Sequence, residues 1–446
     1  MKLYFVSLGC DKNLVDSEKM LALLVHHDIE ITDTAEEAEI IVINTCAFIQ
    51  DAKEESIETI LAMAELKKEG RCKALIVSGC LAQRYTEEIQ EEIPEVDAII
   101  GTTAYDQVAA AVEQSLSGAG AVFLRDTDYL PVNLTERLPA VSGYTSYLKI
   151  AEGCSKSCTY CIIPRLRGHY RSVPMEELVR EAEQLAAHGA KELIVIAQET
   201  TVYGMDLYGE KKLPELLTRL CRIDGLEWIR LMYCYPEEIT EELLLVMKRE
   251  RKLCHYLDLP IQHCNDEILR RMGRRTNRQE LEDKIRQIRR ILPDAALRTT
   301  LISGFPGETE QQHEECLEFI RQIRFDRLGV FPYSPEEGTP AAGYDGQIDE
   351  ETKRRWADEL MEAEQEIIFA QNETMPGKRM SVIVDGFLPE EGVYIGRTYR
   401  DAPDIDGCIF FGTPAEILSG TRLTVMVTEA KGYDLSGEIW NEEEEG

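Results

Sequence analysis

Three apolar, β-branched runs in the first 100 residues constrain the fold more than any other feature: KLYFVSLGC ends at Cys10, AEIIVINTC at Cys46 and CKALIVSGC at Cys80. Continuous apolar runs without alternation are the pattern of strands buried on both faces. Each is followed by helical sequence: SEKMLALLVHH, EESIETILAMAELKK and YTEEIQEEI. Strand–helix alternation implies right-handed crossovers and a parallel sheet. The C-terminal ends of such strands share one edge, where α/β sheets bind ligands. One cysteine at a strand end is an ordinary small buried hydrophobe. Three in the same position relative to their strands point to a shared metal site on that edge. Cys72 begins its strand and belongs to the other edge.

Residues 130–145, with their prolines and Gly143, read as a linker. Alternation then resumes. SYLKIAEGC, KELIVIAQE, EWIRLMYC, CHYLDLPIQ, AALRTTLISGF and RLGVFPYS read as six strands with helices between them, including Met175–His188 and Gln279–Leu292. Six β/α repeats predict a curled parallel sheet, a partial version of the eight-stranded barrel. A long charged helix follows. From MPGKRM onward the pattern shifts to short alternating strands, the signature of a small β-barrel. The expected class is therefore α/β: a parallel-sheet βαβ domain at 1–136, a partial (β/α)6 barrel domain at 137–372 and a small β-barrel at 373–446. The terminal EEEE reads as a disordered tail.

A chain of 446 residues is too long for one ordinary core, which agrees with several domains. The apolar N-terminal run meets charged residues at once, so it reads as a strand and not a signal peptide. No stretch approaches the roughly 20 apolar residues that span a bilayer. A cytoplasmic protein with no membrane contact is expected, in which the 13 cysteines are reduced, metal-bound or catalytic. The net charge of −33 repels phosphate on average, which disfavours RNA contact. LRRMGRRTNRQ, around Arg270 to Arg278, is a local basic patch or a solvated helix end.

EGCSKSCTYCIIPRLRG carries Cys154, Cys158 and Cys161 in a C-x3-C-x2-C spacing. Gly153 and Pro164 favour a loop, which can wrap its thiolates around a soft metal centre. A structural zinc needs four protein ligands, and His169 could be the fourth. A four-iron cluster held by three thiolates instead leaves one iron open for a further ligand.

With the β/α context, this loop resembles the radical S-adenosylmethionine (AdoMet) superfamily. The resemblance implies that the open iron binds AdoMet and that the reduced cluster cleaves it to a 5′-deoxyadenosyl radical. Tyr160 matches the aromatic residue expected near the adenine. The whole chain resembles the methylthiotransferase branch: a three-cysteine N-terminal domain, a radical domain and a TRAM β-barrel. That implies a second 4Fe–4S cluster on Cys10, Cys46 and Cys80, beside the radical cluster on Cys154, Cys158 and Cys161, and two AdoMet molecules per turnover. One AdoMet methylates a cluster-bound sulfur and the other generates the radical. Within the branch, SLGCDKNLVDSE, LDLPIQHCND and GRTYRDAPDIDG resemble the members that modify the β-carbon of an aspartate in ribosomal protein S-twelve, more than those that modify a hypermodified adenosine of tRNA. Asp11 stands where those members often carry proline. A flavodoxin or ferredoxin is the implied electron donor. Charge agrees with a basic protein partner: Met375 to Gly446 holds six Lys/Arg against fourteen Asp/Glu, a net of −8.

AQETTVYGMD follows the second strand of the central domain, and Gln198 and Glu199 are candidate AdoMet hydrogen-bonders. TTLISGFPGET offers Gly304 in a strand-to-helix turn where backbone could approach the ribose or adenine; it lacks the Lys-Ser/Thr ending of a phosphate loop. YSPEEGTPAA reads as a plain loop or part of the substrate mouth. Cys221, Cys234, Cys254, Cys264, Cys316 and Cys408 follow no ligand spacing and read as structural. A non-catalytic RNA-binding iron–sulfur protein is the alternative from another class; it requires a basic face with stacking aromatics on the last domain.

Overall fold

The computed structural model describes residues 1–27, 29–131, 136–138 and 143–440. The expected tail and half of the expected linker, 132–135 and 139–142, lie outside the described residues. No helix among the described residues is long and apolar enough to cross a membrane.

The N-terminal sheet has six parallel strands in the order Glu30–Ile31, Lys2–Ser7, Ile40–Thr45, Ala74–Gly79, Ala98–Ile100, Ala121–Phe123. Ile40–Thr45 and Ala74–Gly79 are buried at every position, as their unbroken apolar sequence requires. The sheet is covered on one side by Asp11–Val25 and Val108–Leu116 and on the other by Gln50–Glu69.

The central sheet also has six parallel strands, here in sequence order: Thr145–Lys149, Glu192–Ile196, Trp228–Leu231, Leu253–Gln262, Ala296–Ser303, Arg327–Pro332. Its helices build one large apolar core with the sheet. Two begin with full capping boxes, Asn277 with Glu280 and Thr309 with Gln312, which satisfy N–H groups that have no partner within the helix. The long helix Glu350–Asn372 leads to a closed five-stranded barrel in the order Arg379–Leu388, Val393–Thr398, Ile409–Gly412, Asp434–Ile439, Arg422–Lys431.

Candidate active site

Lys2–Ser7, Ile40–Thr45 and Ala74–Gly79 are direct neighbours in the sheet, so Cys10, Cys46 and Cys80 follow three adjacent strand ends. Gly9, at φ +89°, makes this possible. A Cβ there would lie 2.7 Å from Cys46 Cβ and 3.0 Å from its Sγ. Cys10 caps the helix Asp11–Val25 and is exposed, whereas Cys46 and Cys80 are buried. Asn13 ties the loops together, since its Nδ2 donates to Leu8 O (3.0 Å) and Thr45 O (2.9 Å). Burial, with Cys80 and Cys10 nearby, pushes the Cys46 thiol up to about 12. Thiols held this way are poor thiolates until a cation joins them.

Cys154, Cys158 and Cys161 lie on a loop between the short strand Ala151–Glu152 and the helix Ile163–Arg167. Gly153 closes the base of the loop, and a Cβ there would meet the carbonyls of His169, Gly168 and Arg167 at 2.2–2.7 Å. The loop is pinned to the rest of the central domain by Thr159, whose N–H donates to Met272 O (2.9 Å) and whose hydroxyl donates to Arg271 O (2.8 Å). Burial pushes Cys154 up to about 11 and Cys161 up to about 12. Tyr160 packs against Ile268, Met272, Phe305, Tyr333 and Ala341.

Gln198 and Glu199 follow the adjacent strand and face this loop. Gln198 Nε2 donates to Glu152 (3.0 Å), and its Oε1 is buried without a partner. Burial pushes the Glu199 carboxyl up to about 7, although Lys156 of the cysteine loop lies 3.5 Å away. Arg274 also turns inward, over the Tyr235 ring, with Nε and Nη1 buried and unpartnered. The basic stretch Arg270–Arg278 therefore contributes an interior cation that composition alone did not reveal. Gly304 has a packing reason, since a Cβ there would meet Lys353 of the long helix at 2.3 Å. His169 turns away from the loop and pairs with Asp128 at 2.8 Å on the surface.

A buried ionic network joins the two cysteine groups. Arg167, 2% exposed, contacts Glu152 (3.0 Å), Asp16 (3.1 Å) and Asn13 Oδ1. Lys149 pairs with Asp16 and with Glu152 (2.7 Å). Burial opposes charge on Glu152, but Arg167 and Lys149 hold its carboxyl below the usual carboxylate range. Arg167 also acts electrostatically on Cys80. Glu336 of the YSPEEG loop, 2% exposed, receives Lys53 (2.9 Å) and Arg84 (3.0 Å) from the N-terminal domain.

A cavity of about 510 Å³ opens where the three domains meet; Cys10, Asp11, Tyr147, Arg397, Asp404 and Cys408 are among its walls. The acidic stretch of the barrel divides here. Asp404 is exposed, at φ +66°. Asp401 pairs with Arg327, and Asp406 takes Arg298 (2.8 Å) and the Tyr256 hydroxyl (2.7 Å). Those two carboxylates fasten the barrel to the central domain. Among the described residues one His/Cys/carboxylate set has donor atoms converging within 4.8 Å: His263, Cys264 and Cys316. Its imidazole is already engaged, accepting from Asn265 N–H (3.0 Å) at Nδ1 and facing Glu308 (3.2 Å) at Nε2.

Residues 148–320 match the model of the radical SAM superfamily, 2–101 that of uncharacterized protein family UPF0004 and 377–439 that of the TRAM domain. The fold resembles that of the radical AdoMet methyltransferase TsrM from Kitasatospora setae, at a TM-score of 0.54 and 15% identity over 74% of this chain and 72% of that one. It also resembles the cobalamin-dependent AdoMet radical enzyme OxsB, at 0.51 and 14% over 82% and 56%. Fold and cysteine loop together define a radical AdoMet protein. Among curated proteins, the chain is 60% identical over 437 residues to the ribosomal protein uS12 methylthiotransferase RimO of Lachnoclostridium phytofermentans, covering 98% of this chain and 99% of that one. It is 46% identical to the protein of that name from Clostridioides difficile, covering 98% and 99%. The chain belongs to the RimO family of methylthiotransferases.

Membership of the superfamily implies a 4Fe–4S cluster and AdoMet, and the residues fit both. Three buried or half-buried thiols on one wrapped loop suit a cubane, whose ligands bind separate irons and need not converge on one point. The unpartnered atoms of Gln198 and Arg274, with Glu199 and Lys156, suit the amino and carboxylate groups of a methionine moiety.

Proposed function

We propose that this protein transfers a methylthio group to the β-carbon of an aspartate in ribosomal protein uS12. In this reading Cys154, Cys158 and Cys161 hold the radical cluster and Cys10, Cys46 and Cys80 hold a second 4Fe–4S cluster. When bound, these groups supply reductive cleavage of AdoMet and the sulfur chemistry. The chain supplies placement. Glu199 and Arg274 bind the methionine end of AdoMet, Tyr160 lies near its adenine, and the Arg167 network keeps the two cysteine groups in register. A flavodoxin or ferredoxin delivers the electron.

The observation that carries the reading is the direct link between the two groups. Asn13 braces the strand-end loops of Cys10 and Cys46 and accepts from Arg167, which ends the helix that follows Cys161. Two cysteine sites built into one rigid interior suit a reaction in which one site makes a carbon radical and the other delivers sulfur to it. Charge supports the protein substrate. The acidic barrel and the exposed Asp404 attract a basic ribosomal protein and repel a phosphate backbone.

The test is a competition in which the reconstituted enzyme is offered uS12 and isopentenylated tRNA together. Mass spectrometry should find the methylthio group on an aspartate of uS12. Preferential modification of the tRNA would overturn the substrate while leaving the class of chemistry intact.

A further inference from the structure

Among the described residues four lysines are buried, and three have carboxylate partners. Lys19 faces Glu181 (3.3 Å), Lys149 faces Asp16 and Glu152, and Lys353 faces Glu350 (2.6 Å). Lys12 is the exception. It is 6% exposed, and among the described residues its ammonium makes neither an ion pair nor a hydrogen bond. It rests 3.0 Å from the centroid of the Tyr233 ring.

The nearby acids are engaged elsewhere. Asp11 accepts from the Tyr233 hydroxyl (3.1 Å), and Asp258 accepts from the Tyr233 N–H (3.0 Å) while facing Arg298 at 3.8 Å. The other groups acting on Lys12 are the Cys10 thiol, two residues before it, which favours its charge, and Arg167, which repels it. Burying an ammonium over a ring, with no anion at contact distance, is costly, and an apolar side chain would pack there more cheaply. The ring recovers only part of that cost. Tyr233 itself is held at φ +58°, a conformation that side chains rarely adopt and that clusters at functional sites.

The position explains what the cation is for. Lys12 lies two residues after Cys10, and Tyr233 two residues beyond the end of the strand Trp228–Leu231, at the C-terminal edge of the central sheet. Lys12 thus reaches from the strand-end cysteines toward the place where AdoMet is cleaved.

We propose that Lys12 is a specificity-determining residue that binds the side-chain carboxylate of the substrate aspartate and holds its β-carbon between the two cysteine sites. The inference rests on the aspartate reading above and deepens it. An incoming carboxylate completes the ion pair that the other buried lysines already have. An asparagine side chain, lacking the charge, does not.

The test compares uS12 with uS12 whose target aspartate is replaced by asparagine, using wild type, Lys12→Met and Lys12→Arg, each with its iron content measured. Wild type should favour the aspartate substrate in kcat/KM by roughly 10- to 100-fold, the worth of a charged hydrogen bond. Lys12→Met should lose that preference, with the loss falling on the aspartate substrate. Lys12→Arg should restore part of it. Equal use of both substrates by wild type, which needs no variant, overturns the anchor alone. So does a Lys12→Met enzyme of normal iron content that still discriminates, since Lys12 then serves only as a countercharge to the thiolates. Modification mapped to a residue without a carboxylate overturns both the aspartate reading and the anchor.

Discussion

Arg167 and Glu152 hold each other through two contacts of 3.0 Å across the base of the loop that carries Cys154, Cys158 and Cys161. Glu152 precedes the first of these cysteines by two residues, and Arg167 follows the last by six. The same guanidinium reaches Asn13 and Asp16 of the N-terminal helix. Arg167→Met would leave Glu152 and Asp16 buried with Lys149 as their remaining cation. Removing one partner of a buried pair costs about 3–5 kcal/mol, which a urea unfolding curve should show. Arg167→Lys should recover part of this stability but little methylthio transfer, because one ammonium cannot reproduce the planar fork.

The two cysteine groups should separate functionally. Cys158→Ala should lower iron by about four per chain and abolish 5′-deoxyadenosine formation. Cys46→Ala should lower iron by a similar amount, keep AdoMet cleavage and lose methylthio transfer. Iron analysis with product chromatography decides this. Methylthio transfer surviving in Cys46→Ala would remove the strand-end cysteines from the reaction.

Glu192 of the central sheet sits between Arg230 (2.9 Å) and Arg397 of the barrel (2.8 Å), all three nearly without solvent contact. Glu192→Gln would leave two guanidiniums facing a neutral amide. A loss of about 3–5 kcal/mol is expected. Limited proteolysis should then release the C-terminal barrel before the rest of the chain unfolds.

Glu364 of the long helix accepts from the Tyr433 hydroxyl of the barrel at 3.1 Å, and burial pushes its carboxyl up to about 7 from 4.5. The folded state therefore holds a proton that the unfolded state releases. That stabilisation is complete below about pH 4.5 and is lost as pH rises toward about 7. Relative to Glu364→Gln, the wild-type Tm should fall across that window and level off above it. A parallel course for the two proteins would show that Glu364 is ionised when folded.

The strand-end cysteines are legible in the sequence because strands buried on both faces appear as unbroken apolar runs, and their C-terminal ends can be counted off. The loop of Cys154, Cys158 and Cys161 is legible from its spacing. The short strands Glu30–Ile31, Ala98–Ile100 and Ala121–Phe123 are not, because two or three residues carry no period. The ionic interior is hidden for a different reason. Arg167 and Asp16 are 151 positions apart, and Lys149 and Asp16 are 133 apart, so no local pattern marks them as partners. Charge counting misplaces Asp401 and Asp406 in the same way, treating as surface two acids that docking buries.

The way the barrel is fastened limits how this protein can exchange parts with its relatives. Arg397 to Glu192, Asp401 to Arg327 and Asp406 to Arg298 join the barrel to its neighbour by matched charges and not by greasy contact alone. A transplanted barrel without counterparts of Arg397, Asp401 and Asp406, however well folded, would strand Glu192, Arg298 and Arg327 without their partners. Barrel and central domain thus behave as one unit in any exchange of parts, whereas substitutions on the exposed rim around Asp404 leave the seam beneath it intact.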